Sequence, residues 1–220
     1  MLYKIARALI VSGVARHIAI CLAEIQSPFL DLSANAANLS MLFGDGAAAL
    51  IVSAEQRASA LEILDIHLAT DGSYADDLGI RCPGTEFGTA RTHNACEHAA
   101  DYQPRMNGQT VILQASRRMV AVCRELLNRR HLGTGDVRWL VPHQANANLL
   151  AQVARGLGLS AECEVVSVLE DFGNTSSASM GIALDKLRRA KRIKCDDYLL
   201  LPAFAAGFTW GAGLCRALNE

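Results

Sequence analysis

From residue 111 onward, short apolar runs alternate with amphipathic helical stretches, and this alternation most constrains the fold. Val111 to Leu132 repeats apolar residues at helical spacing through Met119, Val122, Cys123, Leu126 and Leu127, with Gly133 placed to close the helix. Val137 to Val141 is mostly apolar, as a buried strand requires. A helix is expected over Ala145 to Leu157, closed by Gly158, then a strand over Glu164 to Val168 and a helix over Ser176 to Ala190. Strands follow over Tyr198 to Ala206 and Trp210 to Ala217. Strands separated by helices point to an α/β fold with buried sheets.

Upstream, Tyr3 to Ser12 reads as a helix closed by Gly13, His17 to Ala23 as a buried strand, and Ser27 to Asn38 as a polar loop. Strands are expected over Ala47 to Val52 and Leu61 to Ala69, with a turn at Thr70 to Ser73. Asp76 to Arg105 lacks periodicity and reads as a long, functional loop. Phe43-Gly44-Asp45-Gly46 and Phe208-Thr209-Trp210-Gly211 echo each other, as the two ends of a duplicated architecture would.

The net charge of -1 over 220 residues gives no general attraction to nucleic acid or anionic membrane. No apolar run is long enough to span a bilayer, and the first ten residues lack the apolar centre of a signal peptide. Seven scattered cysteines without a CxxC pair fit free, mostly buried thiols and a cytoplasmic location.

Two short motifs carry the chemistry. In Val141-Pro142-His143-Gln144-Ala145-Asn146, His143 follows a strand and precedes a helix, at the sheet edge where α/β folds bind ligands. Asn146 is expected in the first helical turn, free to bond a ligand; the plainer alternative is that His143 caps the helix. In Phe172-Gly173-Asn174-Thr175-Ser176-Ser177, Gly173-Asn174 reads as a strand-to-helix elbow, with hydroxyls of residues 175–177 as helix caps. An ordinary Asn turn is the alternative. Together His143 and Asn174 read as two donors aimed at one reacting oxygen. The small residues Ala203 to Gly211 form a third unit, in which the Ala206 and Gly207 backbone can approach a ligand as an oxyanion hole requires, or simply turn between core strands. Cys82, His93, Cys96 and His98 have the residue types of a zinc site but not a usual spacing, and no metal is expected.

These motifs, with Phe43-Gly44-Asp45-Gly46-Ala47, Thr70-Asp71-Gly72-Ser73, Met106-Asn107-Gly108 and Gly207-Phe208-Thr209-Trp210-Gly211, resemble in order the β-ketoacyl-acyl-carrier-protein synthase III family, a condensing-enzyme branch of the thiolase superfamily. The resemblance implies a thiolase-like layered αβαβα fold. Residues 1–55 would be a remnant of the N-terminal half, which is then incomplete, and residues 56–220 the complete C-terminal half. It implies a Cys-His-Asn site in which an acyl group moves from coenzyme A to the Cys. His143 and Asn174 would hold the thioester carbonyl of malonyl-carrier protein and stabilise the enolate formed on decarboxylation. Asn107, Gly108 and Asn146 would bind coenzyme A or the carrier protein, and Ala206 and Gly207 would supply backbone donors. No cofactor is implied beyond the substrates, acyl-coenzyme A and malonyl-carrier protein. The partner expected is a second copy or a complementing subunit, not nucleic acid or a membrane.

Tyr3 aligns with the Tyr of the family's Cys-x-Gly-x-x-Tyr helix, which places the Cys three residues before Met1. On that reading the chain alone would be inactive: a condensing enzyme with a late start, a partner subunit, or an acyl-thioester or carrier-protein binding module. Ala36 and Ala37 stand where the family often has a basic residue for coenzyme A, and Ala147 and Asn148 where it usually has one for the carrier protein. Ala205 and Ala206 replace glycines. These differences imply a specialised relative.

Overall fold

The structure, a computed structural model, describes residues 1–30, 40–82, 102 and 104–219. Helix α1 (Leu2–Val11) leads into β1 (His17–Glu24), which pairs antiparallel with β2 (Gly46–Ser53). Strand β3 (Leu61–Thr70) follows, then a small hairpin of β4 (Leu78–Ile80) and β5 (Pro104–Met106). Beyond it lie α2 (Gly108–Arg129), β6 (Val137–Leu140), α3 (Ala147–Leu157), β7 (Glu164–Val165), α4 (Leu169–Phe172), α5 (Ser179–Arg189), β8 (Tyr198–Ala205) and β9 (Thr209–Ala217).

The main sheet has the order β3-β9-β8-β6-β7. Strands β6, β7 and β8 run parallel; β9 returns antiparallel between β8 and β3. Strand periodicity divides its side chains. Leu200, Phe204 and Leu214 pack with α2 and α3 around Met119, Cys123, Leu126 and Val153. Leu199, Leu201, Trp139 and Cys215 face the other way, onto Ala183, Leu184 and Leu187 of α5. Helix α5 also meets β2: a Cβ on Gly181 would lie 2.5 Å from the Ala48 Cβ. Two-stranded sheet, α1 with α5, five-stranded sheet, and α2 with α3 thus form four successive layers of the expected α/β architecture.

Several elements differ from expectation. Helix α2 begins and ends three residues early, because Asn107 caps its start and His131, at φ 55, turns the chain out after Arg130. Gly133 has φ -99 and instead opens the next short turn. Strand β1 is not buried throughout: Ile20 and Leu22 face α1 and α5, while His17, Ala19, Cys21 and Ala23 are exposed. The strand expected to run to Val168 stops at Val165. Cys123 and Cys215 are free and buried, Cys163 is half-buried, and Cys21 and Cys195 are free and exposed. Cys82 is disulfide-bonded, so the expectation of uniformly free thiols fails there, and a sulfur in a disulfide is no thiolate ligand for zinc. His93, Cys96 and His98 lie outside the described residues, as do Ala36 and Ala37.

Candidate active site

His143 leaves the sheet where β6 ends. Its N–H donates to the Pro202 carbonyl of β8 at 2.8 Å, fixing the residue to the neighbouring parallel strand. His143 does not cap α3. Asn146 does, with Oδ1 accepting from Leu149 N–H at 2.9 Å, so one end of the side chain serves the chain's own backbone and Nδ2 is the end left to meet a ligand. Gly158, at φ 65, ends that helix as anticipated.

Gln144, between these two, is fully buried. Its Nε2 donates to the carbonyls of Pro142 at 2.7 Å and Val166 at 3.1 Å, and its Oε1 accepts from Val168 N–H at 3.0 Å. One amide side chain therefore latches the His143 loop to the segment that leads into Asn174. Sequence reasoning passed over Gln144; a glutamine in an otherwise apolar strand exit was the available signal.

Asn174 does not follow a strand. It follows α4, a single helical turn, and Gly173 makes the break at φ 65 and ψ -157. The elbow is held by a partner distant in sequence. Asn174 N–H donates to the Leu42 carbonyl at 2.8 Å, and Gly44 N–H donates to the Asn174 carbonyl at 3.1 Å. A Cβ on Gly44 would collide with the Phe172 carbonyl oxygen, and one on Gly46 would meet Thr175 and Ile182 at 2.9 Å. The glycines of the Phe43-Gly44-Asp45-Gly46 motif are thus the seat of the Asn174 elbow. Asp45 beside them accepts from Gln26 N–H (2.7 Å), Ser27 N–H (2.9 Å) and Ser27 Oγ (2.6 Å), and these bonds, the Ser27 hydroxyl first, hold its carboxyl below the usual range.

The hydroxyls of residues 175–177 do not cap α5. Thr175 Oγ1 is buried without a partner among the described residues, and Ser177 Oγ bonds Glu24. Asn174 itself does the local work: Oδ1 accepts from Ser176 N–H at 2.9 Å. Because an N–H must face an oxygen, this bond fixes which way round the amide lies and leaves Nδ2 as its donor end.

The same turn receives the His143 ring. Nδ1 lies 2.9 Å from Ser179 Oγ, and the Ser176 carbonyl is also close enough to act on the ring. Ser176 therefore has its N–H on Asn174 and its carbonyl beside His143. Burial pushes the imidazole down to about 4, partly opposed by the Ser176 carbonyl, so near neutral pH the ring is uncharged.

Ala206 and Gly207 form the turn between β8 and β9, beyond the Ala205–Thr209 pair. Gly207 has φ 132, and the Gly207–Phe208 peptide is cis. Buried Phe208 stacks on Tyr74 at 5.0 Å and exchanges backbone hydrogen bonds of 2.8 Å with Asp71 in both directions. Arg118 braces this turn, bonding Asp71 Oδ2 at 2.8 Å and lying 4.1 Å over the Trp210 ring. Asn107 engages both ends of its amide within the chain: Nδ2 donates to Asp77 Oδ1 at 2.9 Å, and Oδ1 caps α2 through Thr110 N–H, while Gly108 has open space around it. No cluster of three potential metal-ligating side chains occurs among the described residues, and no helix among them is long and apolar enough to cross a membrane.

Two sequence profiles match the chain, one described as 3-oxoacyl-[acyl-carrier-protein] synthase III over residues 2–72 and one as the C-terminal part of the same enzyme over residues 127–217. A β-ketoacyl-[acyl-carrier-protein] synthase III from Chlamydia caviae is 35% identical over 98% of this chain and 62% of the relative. One from Sphingopyxis alaskensis is 36% identical over 97% and 62%. The crystal structure of 3-oxoacyl-[acyl-carrier-protein] synthase III from Aquifex aeolicus superposes with a TM-score of 0.82 at 30% identity, covering 97% of this chain and 62% of that one. The priming β-ketosynthase of the R1128 polyketide pathway superposes at 0.80 with 28% identity, over 100% of this chain and 62% of its own. The chain thus spans about three fifths of the length of these relatives. The profiles fall on both the Phe43-Gly44 seat and the His143–Asn174 region that rests on it, and with the thiolase-like architecture they establish that this chain belongs to the 3-oxoacyl-acyl-carrier-protein synthase III family.

Proposed function

We propose that this chain carries the decarboxylating part of a condensing site, in which His143 and Asn174 bind the thioester carbonyl of a malonyl-carrier protein. The observation that supports it is the shared turn: Asn174 Oδ1 accepts from Ser176 N–H and the His143 ring bonds Ser179 Oγ three residues on, with the amide oriented to present Nδ2. Loss of carbon dioxide from a malonyl thioester leaves negative charge on the carbonyl oxygen. Two neutral donors fixed beforehand stabilise that charge without reorganising. A neutral imidazole does this with Nε2–H and leaves no buried positive charge after the enolate is consumed. The enolate carbon would then attack an acyl-cysteine thioester derived from an acyl-coenzyme A, in fatty-acid or polyketide-type biosynthesis, with the Ala206 and Gly207 backbone as the expected oxyanion donors. The family reading extends to a soluble, cytoplasmic homodimer that uses no cofactor.

Release of carbon dioxide from malonyl-carrier protein tests the proposal. Asn174→Ala or His143→Ala is expected to lower the rate about 10²–10³-fold, the typical effect of removing one such donor. Unchanged release in both variants would overturn it.

A second reading, in which the nucleophile comes from outside these 220 residues, is favoured by where the free cysteines lie. Cys163 and Cys195 precede β7 and β8, at the end of the parallel strands opposite His143. Burial raises the thiols of Cys123 and Cys215, the latter to about 12, which suppresses the reactive thiolate. On this reading, mass spectrometry after incubation with an acyl-coenzyme A finds no stable acyl adduct; an adduct on one of the seven cysteines would exclude it.

A further inference from the structure

We propose that Ser179 is a positioning residue, whose hydroxyl donates to His143 Nδ1 and holds the ring in the tautomer that carries its proton on Nε2. The inference rests on the reading of His143 as a donor to substrate and adds the device that makes it one.

The argument is a count of protons around one buried oxygen. Ser179 is fully buried at the first position of α5. Its Oγ has two neighbours among the described residues: Gln144 N–H, 3.3 Å away, and His143 Nδ1, 2.9 Å away. The backbone N–H can only donate, so Oγ accepts there. One hydroxyl proton remains, and Nδ1 is the acceptor in reach. Were Nδ1 protonated, Oγ would receive two donors and its own proton would be stranded in a dry site, at a cost of about 1–3 kcal/mol.

The rival arrangement has Nδ1–H directed at the Ser176 carbonyl. That carbonyl does not need the ring, because it already accepts the Ser179 backbone N–H. The same serine thus supplies the Ser176 carbonyl with a donor through its backbone and Nδ1 with a donor through its side chain. With Nδ1 as acceptor, the neutral ring has its one N–H on Nε2. The other tautomer would present a lone pair, not a donor, to a developing oxyanion. The device also accounts for a serine at a position with no exposure, where alanine would pack as well.

Nitrogen-15 NMR of the histidine side chains near neutral pH tests this directly on the 220-residue chain, with His143 assigned by its absence in His143→Gln. The expected wild-type spectrum shows an unprotonated Nδ1 and a protonated Nε2; a protonated Nδ1 overturns the proposal without any variant. Ser179→Ala is expected to give a mixture of tautomers or reverse them, and Ser179→Thr, which keeps the hydroxyl, to restore the wild-type pattern. A wild-type tautomer in a folded Ser179→Ala also overturns the proposal. Malonyl-thioester decarboxylation is expected to fall at least about 10-fold in Ser179→Ala, in kcat more than in KM. An Nε2–H tautomer without any decarboxylation would overturn the proposed function and leave the role of Ser179 standing.

Discussion

At the residue scale, the two candidate side chains are held in opposite ways. Asn174 is oriented by an N–H pressing on its oxygen, and His143 by a hydroxyl beside its nitrogen, so each turns a donor outward. The imidazole is a titratable group whose neutral form the fold prefers, and this has a measurable consequence. Its folded value, about 4, lies below the ordinary 6.5. An unfolded chain therefore takes up a proton first as pH falls. The stability due to the neutral ring is complete above about pH 6.5 and is lost between there and pH 4, by at most about 3 kcal/mol. Urea unfolding of wild type and His143→Gln at pH 7.5 and pH 4.5 checks it: wild type should lose more stability across this interval than the variant. Both residues were legible in the sequence, because His-Gln-Ala-Asn and Gly-Asn-Thr-Ser are unusual strings. Their neighbours were less so. Thr175 and Ser177 looked like caps and are not, since hydroxyl-rich sequences show that a turn is near without showing which oxygen closes it.

At the element scale, periodicity located most of the strands and helices, and the errors fall where a tertiary partner overrides the local signal. Helix α2 ends at Arg129, and His131 rather than Gly133 takes the left-handed turn beyond it. Strand β1 was read as buried because the run Ile18 to Ala23 is apolar, yet every second residue is exposed. An apolar run gives a strand but does not say which sheet face is covered. The elbow at Asn174 was read as strand-to-helix because Glu164 to Val168 continues an apolar pattern. What stops β7 at Val165 is that the Val166 carbonyl and Val168 N–H bond the Gln144 side chain instead of a strand. Gln144→Ala therefore leaves the Val168 N–H and the Pro142 and Val166 carbonyls without that partner in a buried site. A loss of about 3 kcal/mol in chemical denaturation is expected. The same variant should weaken decarboxylation, because the latch joins the His143 loop to the chain entering the Asn174 elbow. A loss under about 0.5 kcal/mol would mean that another group satisfies these atoms.

At the scale of the molecule, the α/β class followed from strand–helix alternation and the layering from the family resemblance, whereas the seat of the site followed from neither. Nothing local in Phe43-Gly44-Asp45-Gly46 says that Phe172 and Thr175 come within a methyl group's width of its glycines. Only the assembled layers place α5 and its leading turn against β2, and the glycines are needed because of that meeting. The backbone bonds at this seat have a kinetic consequence. Leu42 and Gly44 join Asn174 across about 130 residues of intervening chain, so the seat closes a long loop, and such closures come late in folding. In pulse-labelled hydrogen exchange during refolding, the amides of Gly44 and Asn174 are expected to gain protection together, and after those within α2. If either is protected as early as α2, the elbow forms without its partner. The last part of this chain to become native would then be the amide proposed to meet the substrate, and a molecule with every helix in place would still be waiting for its candidate site.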